Sequence, residues 1–63
     1  MAGRHMQKFY VEVSEYKYED YTSYTVSLGF VVVYAKGEDE AHELASRLYA
    51  GLTLGWPTTE EPS

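Results

Sequence analysis

The residues best suited to acid–base chemistry in this chain are grouped around His42, in a segment with helical spacing. Glu43 follows it directly, and Ser46 stands four positions later, about one helical turn away. A histidine acting as general base needs a nucleophile and an orienting group within hydrogen-bond reach, and an exposed helical Ser–His pair is common by chance. We therefore expect His42 to be a solvent-facing or rim residue. The chain has no cysteine, no glycine-rich phosphate loop and no GxSxG motif, and we predict no catalytic residues and no enzyme.

Four carboxylates stand close together at the predicted start of the same helix. They are Glu38, Asp39, Glu40 and Glu43. Negative charge in a first helical turn complements the positive end of the helix dipole, which explains these residues without any ligand. A metal site would need at least two ligands beyond His42, and no loop of alternating oxygen ligands is present. We predict no metal and no cofactor, and treat the four acids as an alternative surface for a basic partner.

The tyrosines are the distinctive group among the seven Tyr, two Phe and one Trp of the sequence. Alternation along the first strand places three of them on the side away from the apolar residues of that strand. Two valines of the second strand fall on the same side in the predicted register. The predicted interface, for self-association or for a partner, is Tyr10, Tyr16, Tyr18, Val31 and Val33. A contiguous apolar and aromatic patch of this kind is typical of a protein-binding surface.

Two alternating apolar segments must position these residues. The first strand is expected from about Gln7 to Tyr18 and the second from about Thr22 to Ala35. With Glu19–Asp20 as the tip, three pairs share one face: Val13 with Val26, Val11 with Leu28 and Phe9 with Phe30. A longer loop of about four to six residues is the alternative and leaves the faces unchanged.

Gly29 interrupts the second strand, and the pattern changes after it. In the predicted register Gly29 lies opposite Tyr10, whose ring would cover it; a β-bulge is the competing interpretation. The run from Phe30 to Tyr34 is apolar on both faces. A strand of this kind is covered on both faces or paired with another chain.

A helix follows Lys36–Gly37 and completes an α+β fold of ββα type, a long antiparallel hairpin packed on one helix. Its apolar stripe repeats at helical spacing and consists of Ala41, Leu44, Ala45, Leu48 and Leu52. Gly51 is the expected residue after the helix end. The alanines favour a close approach to the sheet.

The chain is short enough for a single domain. Residues 1–5 are interpreted as a vector-derived remnant, 6–56 as the ββα domain and 57–63 as a disordered acidic tail. Trp56 is expected to lock the tail onto the core, with an anchor for a partner as the alternative.

The composition of the chain limits the kinds of molecule that it is expected to bind. The formal net charge is −5, which disfavours direct contact with nucleic acid because phosphate binding depends on Lys and Arg. No apolar run is long enough for a membrane span, and no signal peptide is recognisable. The core of so small a domain without disulfides is marginal, so we expect a homo-oligomer, most simply a dimer that buries the aromatic sheet face or joins strands edge to edge. A cytoplasmic location is expected, in the host cytoplasm if the protein is viral.

The segment Val33–Ala45 resembles the strand-to-helix junction of HicB-type antitoxins, in which a strand, a Gly-acid turn and a Glu-Ala helix start follow in order. That family's Gly- and Pro-rich segment between strands and its DNA-binding extension have no counterpart here. In size, acidity and the tail Gly55–Ser63, the chain also looks like the small acidic proteins encoded by phages of high-GC bacteria.

These observations favour a non-enzymatic protein-interaction module, an accessory or inhibitory factor that acts on a host protein through the aromatic sheet face. The alternative is an antitoxin-like regulator whose acidic helix face neutralises a basic, nucleic-acid-handling partner.

Overall fold

The computed structural model describes residues 5–62, so most of the predicted vector remnant lies outside the described residues. The elements are β1 (Gln7–Glu19), β2 (Thr22–Ala35), α1 (Glu38–Leu48) and β3 (Thr53–Leu54). The strands form one antiparallel sheet in the order β2-β1-β3, with the helix on one side. The α+β class and the hairpin-plus-helix arrangement are confirmed, and β3 is added at the outer edge of β1.

A two-residue turn joins β1 to β2. Glu19 pairs with Thr22, and the central residues Asp20 and Tyr21 have φ values of 49° and 64°. Positive φ at both central positions is the mirror-image turn whose twist matches that of an antiparallel hairpin. The predicted tip therefore lies one residue too early.

The register of the hairpin differs from the prediction. Near the helix, Phe9 pairs with Val33 and Val11 with Val31, whereas near the turn Glu15 pairs with Val26. A β-bulge separates the two stretches, because Val13 pairs with Gly29 while Ser14 pairs with Ser27. Leu28 is the extra residue. One additional residue exchanges the two faces of a strand, so the bulge interpretation of Gly29 is correct and the tyrosine-cover interpretation is wrong.

The exchange decides which residues form the core. Phe9, Val11 and Val13 are buried as expected, but their predicted partners Val26, Leu28 and Phe30 are 38%, 56% and 47% exposed. The inward residues of β2 are instead Val33 and Ala35, with Val31 partly buried beside them. Ala41 and Ala45 of α1 close this cluster.

The apolar stripe of α1 is used only in part. Leu44 packs against the core, but Leu48, which is the last residue of the helix, is 67% exposed. The helix is capped at Tyr49, whose backbone N–H donates to the carbonyl of Ala45, and Gly51 adopts a φ of 91° in the following turn. The glycine thus serves the turn out of the helix rather than the position directly after its cap.

The segment after the helix runs along the outer edge of β1. Leu54 pairs with Val13, and the N–H of Gly55 donates to the carbonyl of Glu12 at 2.8 Å. Thr58 and Tyr10 exchange two backbone hydrogen bonds of 2.7 and 3.0 Å, and the intervening Pro57 is fully buried. The predicted start of the disordered tail at residue 57 is therefore wrong: pairing to β1 extends order to Thr58.

The molecule is elongated. Its principal extents are 56 × 25 × 13 Å, and its radius of gyration is 13.9 Å, against about 11 Å for a compact domain of this length. Every residue from Tyr16 to Leu28 is exposed. We call residues 16–28 the distal arm and the part of the hairpin beneath α1 the proximal half.

Candidate functional site

The side of the proximal half that faces away from α1 exposes neighbouring apolar side chains of β2. We define it as the uncovered face. It is built from Lys8, Tyr10 and Glu12 of β1 and from Tyr34, Val32 and Phe30 of β2, paired in that order. The three β2 side chains are 57%, 46% and 47% exposed. Side chains of paired residues share a face, so these six residues form three adjacent cross-strand rows.

The predicted interface agrees only in part with this face. Tyr10 lies on it, and Tyr16 and Tyr18 lie on the same side farther along, in the distal arm. Val31 and Val33 were wrongly placed: Val33 is 5% exposed, and Val31 packs against the core beneath α1. The bulge at Leu28 is the physical reason, because it turns the odd residues of β2 inward and brings Phe30, Val32 and Tyr34 outward.

Charges border the uncovered face on β1. The Lys8 ammonium lies 5.6 Å from the centre of the Tyr10 ring, in the range of a cation–π contact. A hydrogen bond to Tyr10, with the electrostatic influence of Tyr10 and Tyr34, raises the pKa of Lys8 above its ordinary value. At the other end, the Glu12 carboxylate accepts a hydrogen bond of 2.8 Å from the Ser27 hydroxyl.

Phe30, Val32 and Tyr34 of β2 also supply the backbone groups of a free sheet edge. Tyr10 and Glu12 direct their backbone groups toward Thr58 and Gly55, so the alternate residues Phe9 and Val11 direct theirs toward β2. Their partners Val31 and Val33 therefore bond to β1, and the intervening Phe30, Val32 and Tyr34 point to the outside. Within residues 5–62, β2 pairs with β1 alone.

This edge lacks the usual protection. Natural edge strands are commonly blunted by charged side chains, proline or a covering element. No Asp, Glu, Lys, Arg or Pro occurs between Thr22 and Ala35. The bulge at Leu28 is the one interruption, and it leaves the stretch after Gly29 regular.

The four acids at the start of α1 are largely engaged within the chain. The Glu40 carboxylate accepts a hydrogen bond of 2.8 Å from the backbone N–H of Lys36, and the Glu38 carboxylate accepts one of 3.0 Å from the indole of Trp56. Glu43 forms an exposed ion pair with Arg47 at 2.8 Å. Together with Asp39 in the first turn, these acids stabilise the start of the helix and its contact with the tail.

His42 stacks on Trp56 with ring centroids 5.3 Å apart and an interplanar angle of 26°. The Ser46 hydroxyl donates to the backbone carbonyl of His42 at 2.9 Å, so the nearby serine is engaged with the backbone rather than with the imidazole. Trp56 remains 57% exposed. It contacts the outside of α1 rather than the core, and Pro57 fills the buried position beside it.

Other kinds of site are absent from residues 5–62. No concave pocket is present there. No group of three or more His, Asp or Glu side chains is arranged to hold a metal ion within that range. No helix in that part of the chain is long and apolar enough to cross a membrane.

Comparison of the chain with protein-family models, with curated proteins and with solved structures finds no match. The resemblances to HicB-type antitoxins and to small phage proteins therefore stay predictions.

Proposed function

We propose that this protein is a non-enzymatic protein-interaction module that acts by binding another protein chain through β2 and the uncovered face. The observation that carries the proposal is that exposed apolar side chains and unpaired backbone groups occur together in residues 30–34 of β2. Phe30, Val32 and Tyr34 present half-exposed apolar side chains and outward backbone groups at the same time.

Physical chemistry favours a protein partner for such a stretch. An extended segment of another chain can satisfy the backbone groups of a sheet edge while its side chains contact the adjoining face. Aromatic residues in contact with a partner contribute large buried areas at a modest entropic cost. The formal charge of −5 favours partners whose surface around the contact is basic.

The alternative is binding of a basic partner by the acids of α1, in the manner of an antitoxin. Three of these acids already accept hydrogen bonds or pair with a cation inside the chain, namely Glu38, Glu40 and Glu43. A partner would have to displace these contacts, which lowers the net gain from each new ion pair. We therefore favour the sheet.

The proposal is tested by site-directed photo-cross-linking of the full chain in extract of its source cells. Replacing Tyr34 by the photoreactive residue benzoylphenylalanine places the reactive group on the uncovered face. Replacing Leu48, which is 67% exposed on α1, gives a matched control of similar exposure away from that face. We expect a discrete protein adduct from position 34 and none from position 48.

A second change tests whether the adduct depends on the face. Phe30→Ser in the position-34 protein should reduce the adduct yield by about tenfold or more, since it removes an apolar contact in the neighbouring row. Equal adducts from positions 34 and 48, or an adduct unaffected by Phe30→Ser, would overturn the proposal. Substituting Glu38, Asp39 and Glu40 together by Gln should leave the adduct in place, and its loss would instead favour the acidic surface.

A further inference from the structure

Resting on the proposed function, we infer that the chain bound by the free edge of β2 is a second copy of this protein. The two β2 strands pair antiparallel, with Val32 of one copy opposite Val32 of the other. Phe30 of each copy then lies opposite Tyr34 of the second copy.

The backbone groups available on the edge fit this pairing. Phe30, Val32 and Tyr34 each direct an N–H and a carbonyl outward, as the pairing of their neighbours Val31 and Val33 to β1 requires. In an antiparallel ladder each directly opposed pair of such residues exchanges two hydrogen bonds. The three opposed pairs of the proposed dimer would therefore satisfy all the outward groups of this stretch.

The bulge fixes the register. Gly29, at a φ of 125°, ends the regular part of the edge on one side, and β2 ends at Ala35 on the other. Val32 is the midpoint of that stretch, so a two-fold axis at Val32 gives the longest overlap of two regular edges. If the two-fold axis lay at another residue of β2, the bulge or the strand end of one copy would fall opposite the regular edge of the second. The ladder between the two β2 strands would then be shorter.

The distribution of charge also fits a second copy. The protein is acidic overall, yet β2 carries no charged side chain, so two copies can approach along this strand without opposing like charges. Glu12 pairs with Phe30 and Lys8 with Tyr34 within one copy. Across the proposed ladder, each of the two outer rows thus runs from Glu12 of one copy through Phe30 and Tyr34 to Lys8 of the second, and the central row carries no charge.

An antiparallel pairing about a two-fold axis keeps the same faces on the same side of both sheets. The two helices would lie on one side of a continuous six-stranded sheet, and the two uncovered faces would merge on the other. The dimer therefore occupies the free edge of β2 and enlarges the uncovered face that the proposed function also assigns to a partner.

Cysteine cross-linking tests the register directly, because the chain contains no native cysteine. Directly opposed residues of an antiparallel pair have Cα atoms about 5.5 Å apart, which a disulfide spans. The full chain carrying Val32→Cys, with oxidised glutathione as oxidant, should form a disulfide-linked dimer of twice the 7.2 kDa mass.

Two further variants provide the matched controls. Phe30→Cys alone and Tyr34→Cys alone should each remain largely unlinked, because the like residues of two copies would lie about 14 Å apart along the strands. Mixing these two variants should yield the cross-linked heterodimer, at a rate about tenfold or more above either alone. Val32→Lys, which places a charge opposite its own copy, should shift the mass measured by sedimentation equilibrium from dimer to monomer.

The outcomes separate the inference from the proposed function. A monomeric mass from about 1 to about 300 µM, with no cross-link at position 32, overturns the homodimer; the adduct from position 34 to a different protein would then still support an interaction module. Cross-linking at position 30 or 34 alone as fast as at position 32 overturns the register. A dimeric mass without a disulfide in the Val32→Cys protein would also overturn it and would point to packing of the faces, whose sheets lie about 10 Å apart.

Discussion

The proximal half and the distal arm belong to the same two strands and have similar strand-forming sequences, but they are held in different ways. In the proximal half, Phe9 and Val11 of β1 and Val33 of β2 are buried beneath α1. In the distal arm, Tyr16 and Tyr18 are 61% and 64% exposed, and no helix covers them. Strand propensity and cross-strand pairing are thus common to both halves, whereas burial is confined to one. The difference identifies α1 as the element that makes part of this ribbon a core.

Strand pairing and exposed polar contacts hold the distal arm. The Tyr24 hydroxyl donates to the Glu19 carboxylate at 3.0 Å, and Lys17 lies 3.4 Å from Glu15 in an ion pair that is nearly half exposed. Exposed ion pairs contribute little, and a two-stranded hairpin by itself is only marginally stable in water. We therefore expect the arm to open far more readily than the proximal half.

The largest effect should come from breaking the proximal core. Phe9→Ala removes a side chain that is 2% exposed, and a substitution of this type costs about 3–5 kcal/mol. A domain of this size has a total stability of about 3–9 kcal/mol, so the variant should lose at least about a third of that stability. Urea denaturation followed by circular dichroism measures the loss.

Tyr18→Ala is the matched change in the distal arm. Its ring is exposed, so the free energy of unfolding should fall by less than about 1 kcal/mol. A cost similar to that of Phe9→Ala would show that the arm and the proximal half share one cooperative core, despite their difference in burial.

A smaller effect should come from the bulge that separates the two regions. Gly29 has a φ of 125°, and a Cβ built there would meet nothing within 4 Å, so Gly29→Ala introduces backbone strain without a clash. We expect a cost of about 1–3 kcal/mol in urea denaturation.

Deleting Leu28 provides the control for that strain. Val13 pairs with Gly29, and Ser14 pairs with Ser27. Removing Leu28 makes Ser27 and Gly29 consecutive, so these two pairs then follow each other as in a regular ladder. Without a bulge the glycine no longer needs a positive φ, so Gly29→Ala should cost about 1 kcal/mol less in the deleted chain. Strictly additive effects of the two changes would contradict this account.

The smallest effect should come from the turn at the end of the distal arm. Asp20 and Tyr21 both adopt positive φ, a conformation that costs little for Asn and Gly and more for a tyrosine. Replacing the pair by Asn-Gly should stabilise the arm by about 1 kcal/mol, seen as slower amide hydrogen exchange in residues 16–27. Tyr21→Ala keeps the strained backbone and should leave that exchange unchanged. Faster exchange in the Asn-Gly variant would show that the exposed tyrosine itself supports the arm.

Much of the fold was accessible from the sequence. The second strand has its predicted bounds, Thr22–Ala35, and the helix begins at Glu38 as its acidic first turn indicates. Both follow from local patterns, namely β-branched and aromatic density and the alanine-rich helical repeat. Such patterns involve residues that are close together in the sequence, so they can be recognised without knowing which distant residues are in contact.

The register was not accessible in the same way. A bulge and a covering tyrosine both explain an isolated glycine in a strand, and the choice between them depends on what packs across the sheet. Ala41 and Ala45 bring α1 close to β2, where Val33 and Ala35 fit and where Phe30 and Tyr34 are bulkier. The size match between helix and strand was the signal that could have selected the correct face, and with it the correct surface residues.

The covering of β1 by residues 53–58 would limit how far the dimer inferred above could grow. From Tyr10 to Ser14 the outer margin of β1 is occupied by Thr53, Leu54, Gly55 and Thr58. Endless growth of a sheet requires each subunit to offer two open margins at the same level. Opposite β2 the sheet ends in β3, a strand of only two residues, and such very short edge strands oppose further pairing. In the dimer inferred above, pairing would use the two long β2 margins and leave only these short edges outside, so assembly should stop at two copies.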